Sequence, residues 1–99
     1  MRIIARRASR EFWGQRSHRD AERPLRAWFA EVRRAVWRTP ADIMMAHRNA
    51  SFVGSDWVVF NVGGNKYRLV VAVKYSAQLV FIRFVGTHEE YDGIDAEKV

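Results

Sequence analysis

The sequence predicts an α+β fold, with helices in the first half of the chain and an antiparallel β-sheet in the second. Apolar residues recur at spacings of three and four between Glu22 and Arg38, as on one face of a helix. From Lys66 to Tyr75 large apolar residues occupy every second position, as in a β-strand, and a Gly-Gly-Asn turn precedes them. We therefore expect N-terminal helices packed on a small antiparallel sheet, in one domain spanning residues 1–99.

Size and composition limit the kind of protein. The chain has 99 residues, of which 48% are hydrophobic, so one core is feasible. It has no cysteine, which excludes disulfides and thiolate metal sites and suits a reducing compartment. No apolar run approaches the roughly 20 residues that span a bilayer, and none follows the first arginines. We expect a cytoplasmic protein without a secretory signal or membrane segment.

Positive charge is concentrated in the N-terminal half. Residues 1–50 carry twelve arginines against five acids, whereas residues 51–99 carry five basic and six acidic residues. A basic face of this kind attracts RNA, DNA, an anionic membrane or an acidic protein. It is also compatible with a merely solvated, arginine-rich surface.

The first half contains three predicted helices. A short helix covers 7–15, and Asp20 is placed to cap the next helix, which runs from Glu22 to Arg38 with Pro24 in its first turn. The apolar stripe of this second helix consists of Leu25, Trp28, Phe29, Val32 and Val36. Trp37 falls off the stripe, so it either pads a neighbouring element or lies in a partner interface.

A third helix and a connector follow. Thr39 as the cap and Pro40 in the first turn predict a short helix that ends near Met45. The polar stretch 48–56 is the best candidate for a mobile loop. At the other end of this half, Ile3 and Ile4 give the start of the chain a strand-like character.

Three strands are predicted in the second half, over 57–62, 66–75 and 78–85. If Ser76 and Ala77 pair across a two-residue turn, Val70 faces Arg83, and Arg68 becomes a diagonal neighbour of Arg83 on one face. A slip of one residue would send Arg83 to the other face.

Two adjacent arginines repel each other unless an anion lies between them. Guanidinium groups suit phosphate because they offer paired donors and stay charged. The alternative is that Arg68 and Arg83 project into solvent, or pair with acids such as Glu89 and Asp92.

His88 and Tyr91 lie three residues apart, so one helical turn would place them on the same side. Histidine moves protons near neutral pH, and a tyrosine hydroxyl can do so beside cations. A capping turn with an exposed histidine explains the pattern equally. His18, His47 and His88 are too scattered to predict a metal site, and no phosphate-binding loop or nucleophile elbow is present.

Two motifs are specific in combination: Gly-Gly-Asn-Lys-Tyr-Arg over 63–68 and Thr-His-x-x-Tyr-Asp over 87–92. Around them, and over Pro24–Trp28 and Pro40–Ile43, the chain closely resembles HigB-type toxins of the RelE-like superfamily. The resemblance extends from about Ile3 to Asp95.

That resemblance implies a RelE/ParE-like fold and a ribosome-dependent mRNA endonuclease that works without a cofactor or metal. The ribose 2′-OH would attack the adjacent phosphate, which needs a base, an acid and cations. By resemblance, Arg68 and Arg83 would hold the scissile phosphate. His88 and Tyr91 would exchange protons with the 2′-OH and the leaving 5′-oxygen, in an order that stays open.

Further residues are implied to bind RNA. Asn65 and Lys66 would steady the RNA backbone, and Lys66 could lower a neighbour's pKa. The arginine-rich helical half would dock on ribosomal RNA through salt-sensitive phosphate contacts. The full set of expected RNA-binding residues is Asn65, Lys66, Lys74, Arg26, Arg33 and Arg34. The best-known superfamily members carry more lysines on the central strands, which leaves the general base open.

Partners follow from the same resemblance. They are a HigA-like helix-turn-helix antitoxin, the ribosome with its mRNA, and operator DNA reached only through the toxin-antitoxin complex. The alternatives are a non-catalytic RNA- or protein-binding module, a gyrase-directed toxin on the same fold, and an inactive remnant. A gyrase-directed toxin or a binding module would not need the set Arg68, Arg83, His88 and Tyr91.

Overall fold

A computed structural model describes residues 1–4, 6–54 and 56–95, and within these ranges five strands form one mixed sheet in the order β1-β5-β4-β3-β2. The strands are β1 Arg2–Ile4, β2 Ser51–Val53, β3 Trp57–Val62, β4 Tyr67–Lys74 and β5 Leu79–Thr87. The α-helices are α1 Arg7–Trp13, α2 Glu22–Arg34, α3 Pro40–Ala46 and α4 His88–Asp92, and a 3₁₀ segment spans Arg16–Ala21. No helix in the described ranges is long and apolar enough to cross a membrane.

The α+β class is confirmed, but the expectation of a purely antiparallel sheet is wrong. Strands β2 to β5 pair antiparallel, whereas β1 pairs parallel with β5, with Arg2 opposite Leu79 and Ile4 opposite Phe81. The partner of β1 lies about 75 residues away in sequence, so no local turn signal reveals the direction of this pairing. The 48–56 connector is also more ordered than expected, because it contains β2. Ser55 lies outside the described residues.

Helix α2 packs its apolar stripe on one face of the sheet, which we call the inner face. Leu25, Trp28, Phe29 and Val32 are buried there, and the Trp28 and Phe60 rings lie 5.3 Å apart between centroids. The inner face itself presents Val58, Phe60, Val62, Tyr67, Leu69, Val71, Val73, Val80 and Ile82 to this core. The opposite face, called the outer face, carries Arg68, Val70 and Ala72 of β4.

Helix α2 ends four residues earlier than its pattern predicts. Ala35 adopts an extended conformation, so Val36 leaves the stripe and is 63% exposed, while Trp37 is 3% exposed. The Trp37 ring stacks on Phe60 with centroids 6.1 Å apart and meets His47 edge-on. Trp37 therefore pads the core, and the alternative of a partner interface at this residue is wrong.

The two predicted caps have different outcomes. Thr39 caps α3 in a reciprocal capping box with Asp42, as expected. Asp20 does not cap α2, because the 3₁₀ segment runs directly into the helix and places Ala21 at the cap position. The Asp20 carboxylate instead reaches across to the turn before β4.

Candidate active site

A β-bulge in β5 sets the geometry of the outer face. The predicted register holds near the turn, where Lys74 lies opposite Leu79 and Val71 opposite Ile82, but Val70 then lies opposite Phe84. Arg83 is the extra residue of the bulge, so the predicted pairing of Val70 with Arg83 is wrong. The pattern Phe-Ile-Arg-Phe-Val carries no glycine that would mark the irregularity.

Beyond the bulge, Arg68 lies opposite Gly86. The Phe84 ring covers Gly86 so closely that a Cβ built there would lie 2.5 Å from Phe84 Cζ. Because Gly86 has no side chain, the Phe84 ring can lie over this residue, which is the strand partner of Arg68.

Arg68 is half-buried and anchored by its own turn. Its Nη1 donates to the carbonyls of Asn65 (2.8 Å) and Tyr67 (3.2 Å), and its Nη2 lies 2.8 Å from His88 Nδ1. Gly63, Gly64 and Asn65 all have positive φ, and this tight left-handed turn is what aims the Asn65 carbonyl at the guanidinium. Three of the five N–H donors are engaged, which leaves Nε–H and one Nη2–H free among the described residues.

His88 begins α4 directly after β5. Thr87 caps this helix in a capping box with Glu90, and the His88 N–H donates to the Lys66 carbonyl at 3.1 Å. Arginine can only donate, so His88 Nδ1 accepts from Arg68, and the proton of the neutral ring is assigned to Nε2. That nitrogen lies 3.4 Å from Asp92 Oδ2, one helical turn on. The Arg68–His88 contact joins two of the predicted catalytic residues.

Lys66 and Tyr67 bind the carboxylate of Asp20, which does not cap α2. Lys66 Nζ lies 2.5 Å from Asp20 Oδ2, and the Tyr67 hydroxyl donates to Asp20 Oδ1. The hydrogen bonds from Lys66 and Tyr67 lower the pKa of Asp20, and the bond to Asp20 raises the pKa of Lys66. Burial, then the Asp20 carboxylate, raises the pKa of Tyr67. Lys66 is thus held as a charged ammonium beside Asp20, and Asp20 belongs to the candidate site and not to the start of α2.

The other two predicted catalytic residues are not held by this cluster. Tyr91 lies half-buried on α4, and its hydroxyl has no hydrogen-bond partner in the described ranges. Arg83 projects from the bulge toward the opposite end of the outer face. Its guanidinium carbon lies 5.7 Å from the Trp57 ring centroid and 5.6 Å from that of Phe81. Arg68 and Arg83 share a face but diverge, so the expected arginine pair around one anion is not formed.

The predicted RNA-binding residues fall into separate regions. Asn65 and Lys66 lie in the turn beside Arg68, whereas Lys74 ends β4 six residues away, a distance of about 20 Å along a strand. Arg26, Arg33 and Arg34 are exposed on α2, which covers the inner face. The sheet therefore separates the α2 arginines from Arg83. No group of three or more histidine or acidic side chains in the described ranges is arranged to hold a metal ion.

Three aromatic residues of the outer face were not predicted as site residues. Trp57, Phe81 and Phe84 are half-buried on the face that bears Arg68 and Arg83. An alternation pattern assigns them only to strands, and the bulge decides that Phe84 points outward while Val85 joins the core. These three rings share the outer face with the two arginines, and the Arg83 guanidinium lies over two of them.

A family model described as HigB_toxin, the RelE-like toxic component of a toxin-antitoxin system, matches residues 21–94. The mRNA interferase toxin HigB of Escherichia coli K12 is 56% identical over 34 residues, which cover 34% of this chain and 33% of that protein. The mRNA interferases HigB of Escherichia coli O157:H7 and Shigella flexneri match to the same extent. The matched segment thus spans about a third of the length of these curated relatives. Because the family model covers about three quarters of the chain, the protein belongs to the HigB family of RelE-like toxins of toxin-antitoxin systems.

Proposed function

We propose that this toxin is a ribosome-dependent endoribonuclease that cleaves mRNA in the cytoplasm and thereby inhibits translation. The observation that carries the proposal is the contact between Arg68 Nη2 and His88 Nδ1, at 2.8 Å, on the aromatic outer face. It joins a fixed cation to a group that can transfer protons, and an in-line phosphoryl displacement needs both. The names of the matched relatives, mRNA interferases, support the same reaction class.

The reaction proceeds by attack of a ribose 2′-oxygen on the adjacent phosphorus. The bond from phosphorus to the 5′-oxygen breaks, which leaves a 2′,3′-cyclic phosphate and a 5′-hydroxyl. The free Nε–H and Nη2–H of Arg68 can donate hydrogen bonds to two oxygens of one phosphate, while Nη1 stays bound to the carbonyls of the turn. The Lys66 ammonium lies next in sequence to the anchoring turn and is paired with the Asp20 carboxylate at 2.5 Å, so it binds an RNA phosphate by exchanging that partner.

His88 is the group placed to donate a proton. When the Arg68 N–H that bonds Nδ1 turns to the phosphate, the ring takes up a proton at Nδ1, and the resulting imidazolium donates its Nε2–H to the leaving 5′-oxygen and returns to the neutral form. The unpartnered Tyr91 hydroxyl is then the group available to relay the 2′-OH proton, because its oxygen can accept that proton as its own O–H proton passes to water. Arg83, which lies over Trp57 and Phe81, binds the RNA backbone away from the scissile bond, with bases stacked on the aromatic rings of the outer face.

These roles can be separated with a 5′-bridging phosphorothiolate RNA on purified ribosomes. Sulfur leaves without protonation, so His88→Ala should cleave this substrate nearly as fast as the unmodified protein does. Tyr91→Phe should remain slow on both substrates. If the sulfur substrate does not rescue His88→Ala, His88 is not the acid.

The proposed partners are a helix-turn-helix antitoxin of the HigA type and the ribosome with its mRNA. Operator DNA would be bound only by the toxin-antitoxin complex. Co-purification of the chain from its native host should recover a small antitoxin, and recovery of the toxin without such a protein would contradict this part of the proposal.

The proposal as a whole is tested by inducing the chain alone and mapping the 5′ ends of cellular mRNA within minutes. Cuts inside translated reading frames should appear, and they should vanish when initiation is blocked. Arg68→Ala should abolish them by removing the phosphate fork, whereas Arg48→Ala, an exposed arginine outside the site, should not. Growth arrest with intact mRNA would indicate a gyrase-directed toxin, and absence of arrest would indicate a binding module or an inactive remnant.

A further inference from the structure

A second cationic site lies in the helical layer. A cavity of about 270 Å³ between α1 and α2 is lined by five side chains, three of which are arginines. The lining residues are Arg6, Arg10, Trp13, Arg26 and Phe29. No carboxylate is among these lining residues, so the three arginines share the cavity without an acid in its lining.

Aromatic rings hold two of these arginines in place. The guanidinium carbon of Arg6 lies 4.8 Å from the centroid of the buried Phe29 ring, and that of Arg26 lies 5.3 Å from the centroid of the half-buried Trp13 ring. Stacked guanidinium groups are pre-organised, because fewer rotamers are lost when they bind a ligand. The Arg26 group is fixed further by Glu22, whose carboxylate accepts from Nε at 2.7 Å and leaves the Nη donors free.

The remaining charges around the cavity are unbalanced. Arg6 and Arg10 form no ion pair with any described residue, and the neighbouring Glu11 is bound to Arg7 at 2.9 Å. Glu22, the acid that partners Arg26, is not among the lining residues. Several arginines that line one cavity favour an anion that can bridge them.

We propose that this cavity is a second, non-catalytic RNA subsite that holds one unstacked nucleotide of a single-stranded segment. The base stacks on the Trp13–Arg26 pair, and its phosphate lies between Arg6 and Arg10. The inference rests on the proposed function only in taking RNA as the target. It adds a binding position on the helical layer, on the other side of the sheet from Arg83.

The chemistry of the lining favours RNA over an acidic peptide. Carboxylates would satisfy the arginines but would make no use of the indole face, whereas every nucleobase has a π-face that stacks on tryptophan or arginine. The cavity volume lies just below the range of about 300–1,000 Å³ typical of small-molecule sites. It therefore suits one nucleotide and is too small for a docked helix.

The test uses tryptophan indole N–H signals in two-dimensional ¹⁵N NMR of the full chain, assigned with Trp→Phe variants. The probe is a 2′-O-methylated RNA tetranucleotide, which cannot be cleaved because it lacks the attacking hydroxyl. Trp13 reports on the cavity and Trp57 on the outer face, and the buried Trp28 and Trp37 serve as internal references. Saturable shifts of the Trp13 signal are expected.

Variants assign those shifts to the cavity. Trp13→Ala should weaken binding about 5- to 150-fold, as measured by fluorescence anisotropy with labelled RNA, whereas Trp13→Phe should retain most of the affinity. Arg10→Ala should lower the slope of log K against log salt concentration by about 0.7, the contribution of one phosphate contact on a single strand. Arg48→Ala removes the same charge elsewhere and should leave both the affinity and the Trp13 shift unchanged.

Two outcomes would overturn the inference. A shift of Trp57 alone would leave the proposed nuclease site intact and show that the cavity does not bind RNA. A Trp13 shift that appears at a lower concentration of polyglutamate than of RNA would identify the cavity as a docking site for an acidic protein. A shift of Trp13 without one at Trp57 would support the inference and count against the proposed nuclease surface.

Discussion

Replacing Asp20 with alanine tests how the helical half of the chain is joined to the turn that carries the candidate site. The Asp20 carboxylate accepts hydrogen bonds from the Tyr67 hydroxyl and the Lys66 ammonium. Tyr67 itself is fully buried, and its ring meets Phe12 edge-on. Among the described residues, Asp20 is the acceptor available to this hydroxyl, so Asp20→Ala leaves a buried polar group without its partner.

The expected magnitude follows from that orphaned hydroxyl. A buried donor without an acceptor costs about 1–3 kcal/mol, and the lower end applies here because the carboxylate lies at the surface, where water can enter. For a domain of this size, 1 kcal/mol corresponds to a decrease of about 4–8 °C in melting temperature. Tyr67→Phe should cost less than Asp20→Ala, because it removes the donor together with its need for an acceptor.

The assay is a double-mutant cycle of thermal unfolding with Asp20→Ala, Tyr67→Phe and the double variant. Asp20→Ala should lower the melting temperature when Tyr67 is present and have little effect when it is introduced into the Tyr67→Phe variant. Lys66→Ala is the matched control, since it removes an exposed ion pair and an exposed cation–π contact with the Tyr67 ring but leaves the buried hydroxyl its acceptor, and it should cause a much smaller shift. Equal decreases in both backgrounds would refute the reasoning, because Asp20 would then not act through the hydroxyl.

Three further outcomes are expected. In Gly86→Ala the new Cβ displaces the Phe84 ring, which should slow mRNA cleavage and lower the free energy of unfolding by about 1 kcal/mol. Unchanged cleavage would show that the ring does not support the site. Arg83→Lys keeps the charge but loses the flat stacking group, so RNA affinity by anisotropy should fall, and full affinity would reduce its role to charge alone. Asp20 has a lowered pKa in the folded chain. Its contribution to stability is therefore fully present above pH 3.8, the ordinary pKa of the group, and is lost as the pH falls through the lowered pKa. On acidification the melting temperature of the unmodified chain should therefore fall further than that of Asp20→Asn. Equal falls in the two proteins would contradict this.

Local patterns predicted those parts of the fold that local forces decide. The apolar stripe of α2 and the capping box of α3 follow from the spacing and hydrogen-bonding chemistry of adjacent residues. The end of α2 does not, because Val36 continues the helical spacing although the chain is already extended at Ala35. Burial of the large Trp37 ring against Phe60 outweighs one more helical turn, and that gain depends on a strand more than twenty residues away.

The site was predicted in part for the same reason. His88 and Tyr91 were placed together by helical spacing, and Thr87 starts the helix that the motif indicates. The partner of Lys66 could not be read from the sequence, since Asp20 carries the local signature of a helix cap and its role is decided by a contact 46 residues away. Similarly, the parallel strand β1 depends on a pairing that no turn announces.

The bulge at Arg83 connects these local and distant determinants. Without the extra residue, the side chains of β5 would keep alternating past Arg83. Phe84 would then lie on the inner face and Val85 on the outer face, and Gly86 would no longer lie opposite Arg68. The extra residue turns Phe84 outward and Val85 inward, and places Gly86, the one residue without a side chain to obstruct Phe84, beside Arg68. Because α4 begins immediately afterwards, the same residue also determines that the His88 ring meets the Arg68 guanidinium. Arg83 thus affects the outer face in two ways. Its guanidinium lies over the Trp57 and Phe81 rings, and its backbone occupies the irregularity that sets the pairing of Arg68 with Gly86.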